Sequence, residues 1–289
     1  MAFSTNCKNN KLLAALPDPV LQRWLPQLDW VFMPLGQVLC ASGSLLSHVY
    51  FPVTALVSLM YVTRSGASVG MASIGCEGLV GVETIMAGQS MPGRAEVHSA
   101  GYGFRLSAAT IKRECAGNTT TMQLLLRYTQ ALSVQISQLA VCSRHHRLAQ
   151  RLSSWLLWQF DQLQAHEITQ THERIANLLG VRRESVSEGL CQLQKLSVIT
   201  YNRGHISVEN RIGLEKKSCE CVRIIKLAYA QVGVEGVANE HKPLYSPYRD
   251  HATHEPRHLA EFVQHGRSSL PVLPARSPSP ELRAFEHHP

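Results

Sequence analysis

The hydrophobic and polar positions of this chain change their spacing several times, and each spacing predicts a different kind of element. Residues 11–30 have the apolar spacing of a short amphipathic helix, interrupted by Pro17, Pro19 and Pro26. Between Trp30 and Leu106, short runs rich in β-forming residues are separated by glycine, serine and proline, namely VSLMYV, SVGMAS, AEVHSA and YGFRL. This pattern predicts a small antiparallel β-barrel or β-roll.

From Ser107 onward the spacing becomes helical. The segment TMQLLLRYTQALSVQISQLAV places five large residues nearly in line, namely Leu125, Tyr128, Leu132, Ile136 and Leu139. The stripe is wide enough to pack on its own barrel and on a second copy of the chain, so we predict a dimerisation helix. Packing within the chain alone is the alternative. A break at about Cys142–His145 leads to a second helix, RLAQRLSSWLLWQFDQL.

Residues 171–199 join two short helical runs through one glycine, Gly180. Thr171 is a good N-cap for the first helix, and Gly180 can close the corner in the left-handed conformation. The second run, from about Arg183 to Gln194, repeats its apolar residues at helical spacing, namely Val186, Leu190 and Leu193. Two short amphipathic helices joined at a tight corner predict a helix-turn-helix, whose second helix enters the DNA major groove.

Two neighbouring features favour DNA binding over an ordinary helical hairpin. Alternating residues on both sides of Asn202-Arg203-Gly204 predict a β-hairpin, which would form a wing. Residues 171–233 contain ten lysines and arginines against six glutamates, and excess positive charge is what phosphate contact requires. The residues predicted to contact DNA are Thr171, Arg182, Arg183, Glu184, Ser187, Glu188 and Arg203.

Composition limits the class of protein and its compartment. With 289 residues and 45% hydrophobic residues, the chain can form two globular domains with real cores. Its formal charge of +7 favours an anionic partner without naming one. No apolar stretch approaches the roughly 20 residues that span a bilayer, and the N-terminus lacks a signal-peptide pattern. We therefore expect a cytoplasmic protein with no membrane partner.

The cysteines are scattered singly, apart from Cys219-Glu220-Cys221. In a reducing compartment we expect mostly buried free thiols, and this pair would need partners from elsewhere to hold a metal. None is evident in the sequence, so no metal site is predicted. After about Val234 the chain holds half of the 14 histidines and eight of the 14 prolines. This composition predicts a disordered tail, in preference to a metal site at His251, His254 and His258.

The order of β-roll, long helix and winged helix-turn-helix, together with THERIANLLGVRRESVSEGLCQLQKLSVITYNRGHISV, resembles the Crp/Fnr family of bacterial transcription regulators. The resemblance covers about residues 28–232. It implies a homodimer on a pseudo-palindromic promoter site, contact with RNA polymerase, and a signal read by the roll or the long helix. It also implies that Arg183, Glu184 and residue 188 face base edges. Position 188 is glutamate here, where the best-known members carry arginine.

The signal-binding site departs from the family pattern. Members that bind cyclic nucleotides place a Gly-Glu pair before a short helix and an Arg-Ser/Thr-Ala run after it. This chain has Gly81-Val82 and Arg94-Ala95, and valine cannot accept a hydrogen bond from a ribose. A rearranged pocket would draw on Glu77, Gly81, Glu83, Arg94 and Ala95. We expect no intact cyclic AMP site, and the effector and any cofactor are left unassigned.

Other signals and functions remain open alternatives on the same scaffold. An iron–sulfur sensor of this family needs several N-terminal cysteines, whereas Cys7 stands alone. Haem bound through a single ligand, or thiol oxidation at Cys76, Cys115 or Cys142, would leave no spacing pattern. The chain has no phosphate loop, HExxH or GxSxG motif, which argues against an enzyme.

The sequence thus predicts an α+β protein in four parts. Residues 1–107 form an N-terminal helix and sensor β-roll, 108–143 the dimerisation helix, 144–233 a winged helix-turn-helix, and 234–289 the tail. Its predicted function is sequence-specific regulation of transcription through double-stranded DNA.

Overall fold

The computed structural model of the chain describes residues 7–86 and 93–233. The predicted disordered tail, with its histidines, lies outside the described residues. Within the described ranges, no helix is both long and apolar enough to cross a membrane.

Two short helices precede the roll, α1 (Lys11–Ala14) and α2 (Asp18–Trp24), and a 3₁₀ turn follows at Leu25–Gln27. The prolines separate these pieces as predicted, because Pro17 precedes α2 and Pro19 lies in its first turn. Asn10 caps α1 by accepting from the amides of Leu12 and Leu13, at 3.1 and 3.0 Å.

Seven strands form the roll: β1 (Asp29–Met33), β2 (Val38–Cys40), β3 (His48–Pro52), β4 (Leu56–Val62), β5 (Ser68–Ile74), β6 (Arg94–Ser99) and β7 (Gly101–Ser107). They make two antiparallel sheets with the strand orders β1-β7-β3 and β2-β6-β4-β5. A short helix, α3 (Val82–Met86), lies between β5 and β6 in the sequence. The four β-prone runs of the sequence match β4 to β7.

Alternate residues of the two sheets fill the interior of the roll. Leu59 pairs with Ala95 in one sheet and Phe51 with Phe104 in the other, and all four side chains are buried in one core. Burial alternates along parts of β3, β6 and β7, as the period of two of a strand requires, whereas residues 56–60 of β4 are all buried.

The long helix packs its apolar stripe against the roll. Helix α4 (Ala108–Gly117) leads into α5 (Thr119–His145), which is capped by Asn118. Leu125, Tyr128 and Leu132 are buried in the core of their own chain, and Tyr128 Oη donates to the carbonyl of Leu79 at 2.7 Å. The roll and the C-terminal helix thus cover the centre of the stripe, as the predicted packing on its own barrel requires, and the contact with a second copy stays a prediction.

The edges of the stripe are less covered. Ile136 and Leu139 are half-buried, while Leu126 and Val141 on the outward side are 50% and 45% exposed. Helix α5 ends at His145, slightly later than predicted, and His146 and Arg147 make the break before the next helix.

The C-terminal half consists of α6 (Leu148–Leu163), β8 (Glu167–Thr169), α7 (His172–Leu179), α8 (Arg183–Lys195), β9 (Ile199–Asn202), β10 (His205–Val208), α9 (Arg211–Lys217) and α10 (Glu220–Ala230). A second hydrophobic core joins α6 to α7, α8 and the small sheet. That sheet has the order β8-β10-β9, so the predicted hairpin gains a third strand that the sequence pattern did not indicate. The mixed helix and sheet architecture confirms the predicted α+β class.

Candidate nucleic-acid interface

Helices α7 and α8 meet at a tight corner built by two residues. Thr171 Oγ1 accepts from the amide of Arg174 at 3.3 Å, which caps α7. Gly180 ends the helix with φ of 63°, a left-handed conformation in which a side chain would be strained. Both roles were predicted from the sequence.

The inner faces of the two helices are fully apolar. Ile175 and Ala176 of α7 pack with Val186 and Leu190 of α8, and none is more than 2% exposed. Gly189 brings α8 close to α6, because a Cβ at that position would lie 3.0 Å from Leu152 Cδ2. The packing fixes α8 so that its opposite face lies at the protein surface.

That opposite face carries unpaired charge. Arg182, Arg183, Glu184 and Glu188, which we call the recognition surface, are all exposed. Within the part of the chain that the structure describes, neither arginine forms an ion pair, and Glu188 only accepts a long 3.4 Å bond from Gln192. These groups are therefore free to bond an external partner.

Ser187 lies on the same face but is engaged within the protein. Its hydroxyl donates to the carbonyl of Arg183 at 3.1 Å and lies 2.6 Å from His172 Nδ1. The His172 ring packs on Tyr201 of the wing, with ring centroids 4.6 Å apart. Burial, together with the nearby charge of Arg183, lowers the pKa of His172. The sequence reading missed His172 and Tyr201, which brace α8 against the wing.

The wing is the hairpin of β9 and β10. Its turn places Arg203 and Gly204 at positive φ, 49° and 89°, as a two-residue hairpin turn requires. The Arg203 side chain is exposed at the tip. Next to this turn, His205 Nδ1 lies 2.7 Å from Glu167 Oε1 of β8.

The five residues of the predicted effector pocket lie on three segments of the chain, and residues 87–92 between two of these segments lie outside the described residues. Arg94 forms an ion pair with Glu96, two residues along β6, whereas Ala95 is buried in the core between them. Gly81 lies in a turn with φ of 101°. Glu83 is partly buried, and this burial raises its pKa. Glu77 lines a cavity of about 560 Å³ that is bordered by α1, α6 and α10.

Glu77 instead takes part in a buried contact between the roll and α6. Gly75 N donates to Glu77 Oε1 at 3.0 Å, and Gln162 Nε2 donates to the same oxygen at 2.6 Å. Gln162 also bonds Ser73, because its Nε2 donates to the Ser73 carbonyl at 2.9 Å and its Oε1 accepts from the Ser73 hydroxyl at 2.9 Å. Burial raises the pKa of Glu77.

His98 continues this contact on β6. Its Nδ1 lies 2.8 Å from Ser58 Oγ, its Nε2 lies 2.7 Å from Gln159 Oε1, and its carbonyl accepts from Gln170 Nε2 at 2.6 Å. An amide oxygen can only accept, so Nε2 carries the hydrogen. Burial lowers the pKa of His98 to about 4, so the ring is neutral. We call Ser58, Ser73, His98, Gln159 and Gln162 the interface network.

Seven of the eight cysteines are buried free thiols, as predicted, and Cys191 on α8 is exposed. Burial raises the pKa of Cys76 and of Cys115 to about 11, which disfavours the thiolate form of both side chains. The expectation that the CxC pair lacks nearby partners is wrong. Cys142, His146, Cys219 and Cys221 bring their ligand atoms within 4.8 Å of one another.

The sequence reading missed this cluster because its two halves are more than 70 positions apart. Sequence spacing finds ligands that lie on one loop or one helix, whereas here the packing of α10 on α5 makes the site. One local signal was available, because Cys142 and His146 are four residues apart and so lie on one helix face.

Comparisons with known proteins match the helix-turn-helix part of this chain to a described family of domains. A family model described as a Crp-like helix-turn-helix domain matches residues 150–217. No curated protein matches the chain.

Several solved structures share the fold. A structure from Eubacterium rectale, described as a transcriptional regulator of the Crp/Fnr family, is 16% identical, with a TM-score of 0.58 over 72% of this chain and 98% of that one. FixK2 from Bradyrhizobium japonicum is 16% identical, with a TM-score of 0.59 over 66% and 98%. The c-di-GMP-responsive regulator CLP from Xanthomonas campestris is 11% identical, with a TM-score of 0.55 over 66% and 99%. At these identities the likeness establishes the fold.

Proposed function

We propose that this protein is a sequence-specific DNA-binding regulator of transcription that acts as a homodimer. The premises are that the chain has the Crp/Fnr regulator fold and a Crp-like helix-turn-helix domain. Helix α8 reads base edges in the major groove, and the wing contacts the phosphate backbone. The observation that carries the proposal is the recognition surface, which presents unpaired charges on a helix whose other face is fixed by the core.

The hydrogen-bond donors and acceptors of each side chain indicate which part of the DNA it contacts. Arg183 can donate two parallel hydrogen bonds to guanine O6 and N7. Glu184 and Glu188 can only accept when ionised, and the cytosine amino group is their matching donor. Arg203 at the wing tip meets phosphate, which carries no sequence information. Thr171 and Ser187 contribute through the shape of the corner, since their hydroxyls already bond within the protein.

The homodimer follows from the two half-sites that a helix-turn-helix regulator usually reads. With Leu125, Tyr128 and Leu132 buried in their own chain, the second copy meets the outward side of α5, including Leu126 and the edge residue Ile136. Leu126→Glu should give monomers in sedimentation analysis and weaken binding to a two-fold site, because two weak half-site contacts are no longer linked. Leu45→Glu, at a 68% exposed loop position in the roll, is the matched control. An unchanged dimer mass for Leu126→Glu would refute this interface.

The effector is not cyclic AMP in the usual pocket. Valine stands at position 82, Arg94 is paired with Glu96, and the roll interior beside Ala95 is filled by apolar side chains. Cyclic AMP should therefore bind poorly and should not be needed for DNA binding. Micromolar affinity in calorimetry, with a matching gain in operator affinity, would overturn this.

The proposal as a whole is tested by selecting bound duplexes from a random DNA pool, with and without a cell extract as a source of effector. We expect enrichment of a two-fold symmetric sequence whose binding weakens as salt rises. Failure to enrich any sequence under either condition would contradict the proposal. The same proposal places the protein in the cytoplasm, in contact with RNA polymerase at the promoter.

A further inference from the structure

Four potential metal ligands converge where α5 ends and α10 begins. Cys142 and His146 lie on the last turn of α5 and at its C-cap, while Cys219 is the N-cap of α10 and Cys221 lies in its first turn. Cys142 Sγ is 3.5 Å from Cys219 Sγ, and Cys221 Sγ is 3.6 Å from His146 Nδ1. Three sulfurs and one ring nitrogen therefore lie close together at the junction of the two helices.

These separations fit one tetrahedral ion. With metal–sulfur bonds of about 2.3 Å and metal–nitrogen bonds of about 2.0 Å, tetrahedral angles place two sulfurs about 3.8 Å apart and a sulfur and nitrogen about 3.5 Å apart. All four ligand atoms lie within 4.8 Å of one another, so small rotamer adjustments would complete the shell. An iron–sulfur cluster places several atoms between its thiolates and holds them farther apart, which does not fit this spacing.

The surroundings orient the ligands as a metal site requires. His146 turns Nδ1 toward the thiols while its Nε2 lies 3.4 Å from Glu220 Oε1, the carboxylate–histidine arrangement that sets the ring tautomer. Ser154 of α6 accepts from the Cys219 amide at 3.0 Å, and its hydroxyl lies 3.1 Å from Cys219 Sγ. The second contact can supply a hydrogen bond to a thiolate.

The site is closed but has a route for entry. The three cysteines are at most 5% exposed, and the His146 side chain is 14% exposed. Cys142 and Cys221 line a cavity of about 270 Å³ bordered by β5, α5, α6 and α7. Four protein ligands with no open position are typical of structural rather than catalytic zinc.

We propose that Cys142, His146, Cys219 and Cys221 bind one thiophilic divalent cation, best matched by Zn²⁺, in a tetrahedral site. Each ligating thiol loses its proton to solvent when the metal binds. The ion would tie the end of α5 to the start of α10, beside the His146–Arg147 break that connects the long helix to the helix-turn-helix. Metal loading would thereby set the orientation of α8. Only this last consequence rests on the proposed function.

The first test uses the full-length protein, purified reduced and titrated with Co²⁺ as a spectroscopic stand-in for Zn²⁺. We expect one cobalt per chain with thiolate-to-metal charge-transfer and tetrahedral bands, displaced by equimolar Zn²⁺. The thiolate bands matter because seven histidines in residues 234–289 could also take up cobalt. Absence of thiolate bands in the folded, reduced protein would overturn the proposal.

Matched variants sharpen the result. Cys219→Ser and Cys221→Ser should each weaken cobalt affinity at least tenfold, whereas Cys191→Ser, at the exposed thiol of α8, should leave it unchanged. His146→Cys should still bind the ion, with a spectrum shifted toward that of four thiolate ligands. His146→Ala, which supplies no fourth ligand, should bind the ion more weakly and should not show that shift. Equal affinity in all these variants would contradict the assignment.

A measurement on the native chain covers the case in which a variant fails to fold. At a denaturant concentration that lets the metal-free chain react at its buried thiols, Zn²⁺ should protect Cys142, Cys219 and Cys221 from alkylation while Cys191 reacts equally with and without metal. Equal labelling of the three buried cysteines with and without Zn²⁺, or a Cys142–Cys219 disulfide that persists with no metal bound, would refute the site. If protection is seen but operator affinity does not change on loading, the metal site stands and its link to α8 fails.

Discussion

The recognition surface and the interface network use polar side chains in opposite ways. Arg182, Arg183, Glu184 and Glu188 are exposed and make almost no bonds within the protein. The side chains of the interface network are mostly buried, and each is bonded to another segment. Groups that must meet an external partner are left open, whereas groups that hold the roll on α6 are satisfied internally. A polar substitution should therefore affect binding at the first region and stability at the second.

The largest predicted effect is on the free energy of unfolding, and it should come from replacing Gln162 of the interface network, with Gln192 of α8 as the matched control. Gln162→Ala removes two hydrogen bonds to Ser73 and one to the buried Glu77 carboxylate, so it should lower the free energy of unfolding by about 3 kcal/mol. Gln192→Ala removes one long bond at an exposed site and should change it by less than about 0.5 kcal/mol. Urea denaturation of both variants measures the difference, and equal losses would remove the contrast between the two regions.

The interface network should also make stability depend on pH. The pKa of His98 is about 4 in the folded chain and has its ordinary value of 6.5 in the unfolded chain, so the unfolded chain binds more protons between these values. The stability contributed by neutral His98 is complete above pH 6.5 and is lost as pH falls toward 4. Between pH 7 and 5 the loss should be about 2 kcal/mol.

The raised pKa of Glu77 acts in the opposite direction, because the folded chain then holds its proton more tightly. Subtracting the stability profile of His98→Gln from that of the native protein isolates the histidine, since Glu77 is present in both. A difference that stays flat from pH 7 to 5 would show that His98 can be protonated in the folded state.

At the recognition surface, Arg183→Ala should act on binding and leave stability nearly unchanged. Loss of a bidentate contact to guanine should cost about 1 to 3 kcal/mol at the selected site and flatten the preference at one base pair. Arg113→Ala makes the same chemical change at an exposed position of α4 in the N-terminal half and serves as the control. If both variants lose affinity equally, only net charge matters at position 183.

The smallest predicted effect is on DNA affinity and should come from a substitution at the tip of the wing. Arg203→Ala should weaken all duplexes to the same extent and lower the slope of log affinity against log salt by about one, because one phosphate contact is lost. Gel-shift titrations at several salt concentrations, on the selected site and a scrambled duplex, measure this. A loss confined to the selected site would mean that Arg203 reads sequence.

The predictability of these regions follows from how far apart their residues lie in the sequence. The corner at Thr171 and Gly180 and the buried positions Val186 and Leu190 were predictable, because caps and helical periods are local. The alternating runs of the roll were predictable for the same reason.

The interface network and the Cys142–Cys221 cluster were not predictable, since each depends on how separate segments pack. The partner of the apolar stripe on α5 was not predictable for a related reason. Helical periodicity marks Leu125, Tyr128 and Leu132 as apolar, but it does not say whether the roll or a second chain covers them.

The central claim is that α8 reads base edges through its exposed polar side chains, and exchanging one acceptor for a donor tests it most directly. Glu188→Arg and the native protein should each be used to select duplexes from the same random DNA pool. We predict that the native consensus changes toward guanine at the position facing residue 188, symmetrically in both half-sites, while the other positions stay the same. An identical consensus for both proteins would show that residue 188 does not face the bases and that the assigned orientation of α8 is wrong.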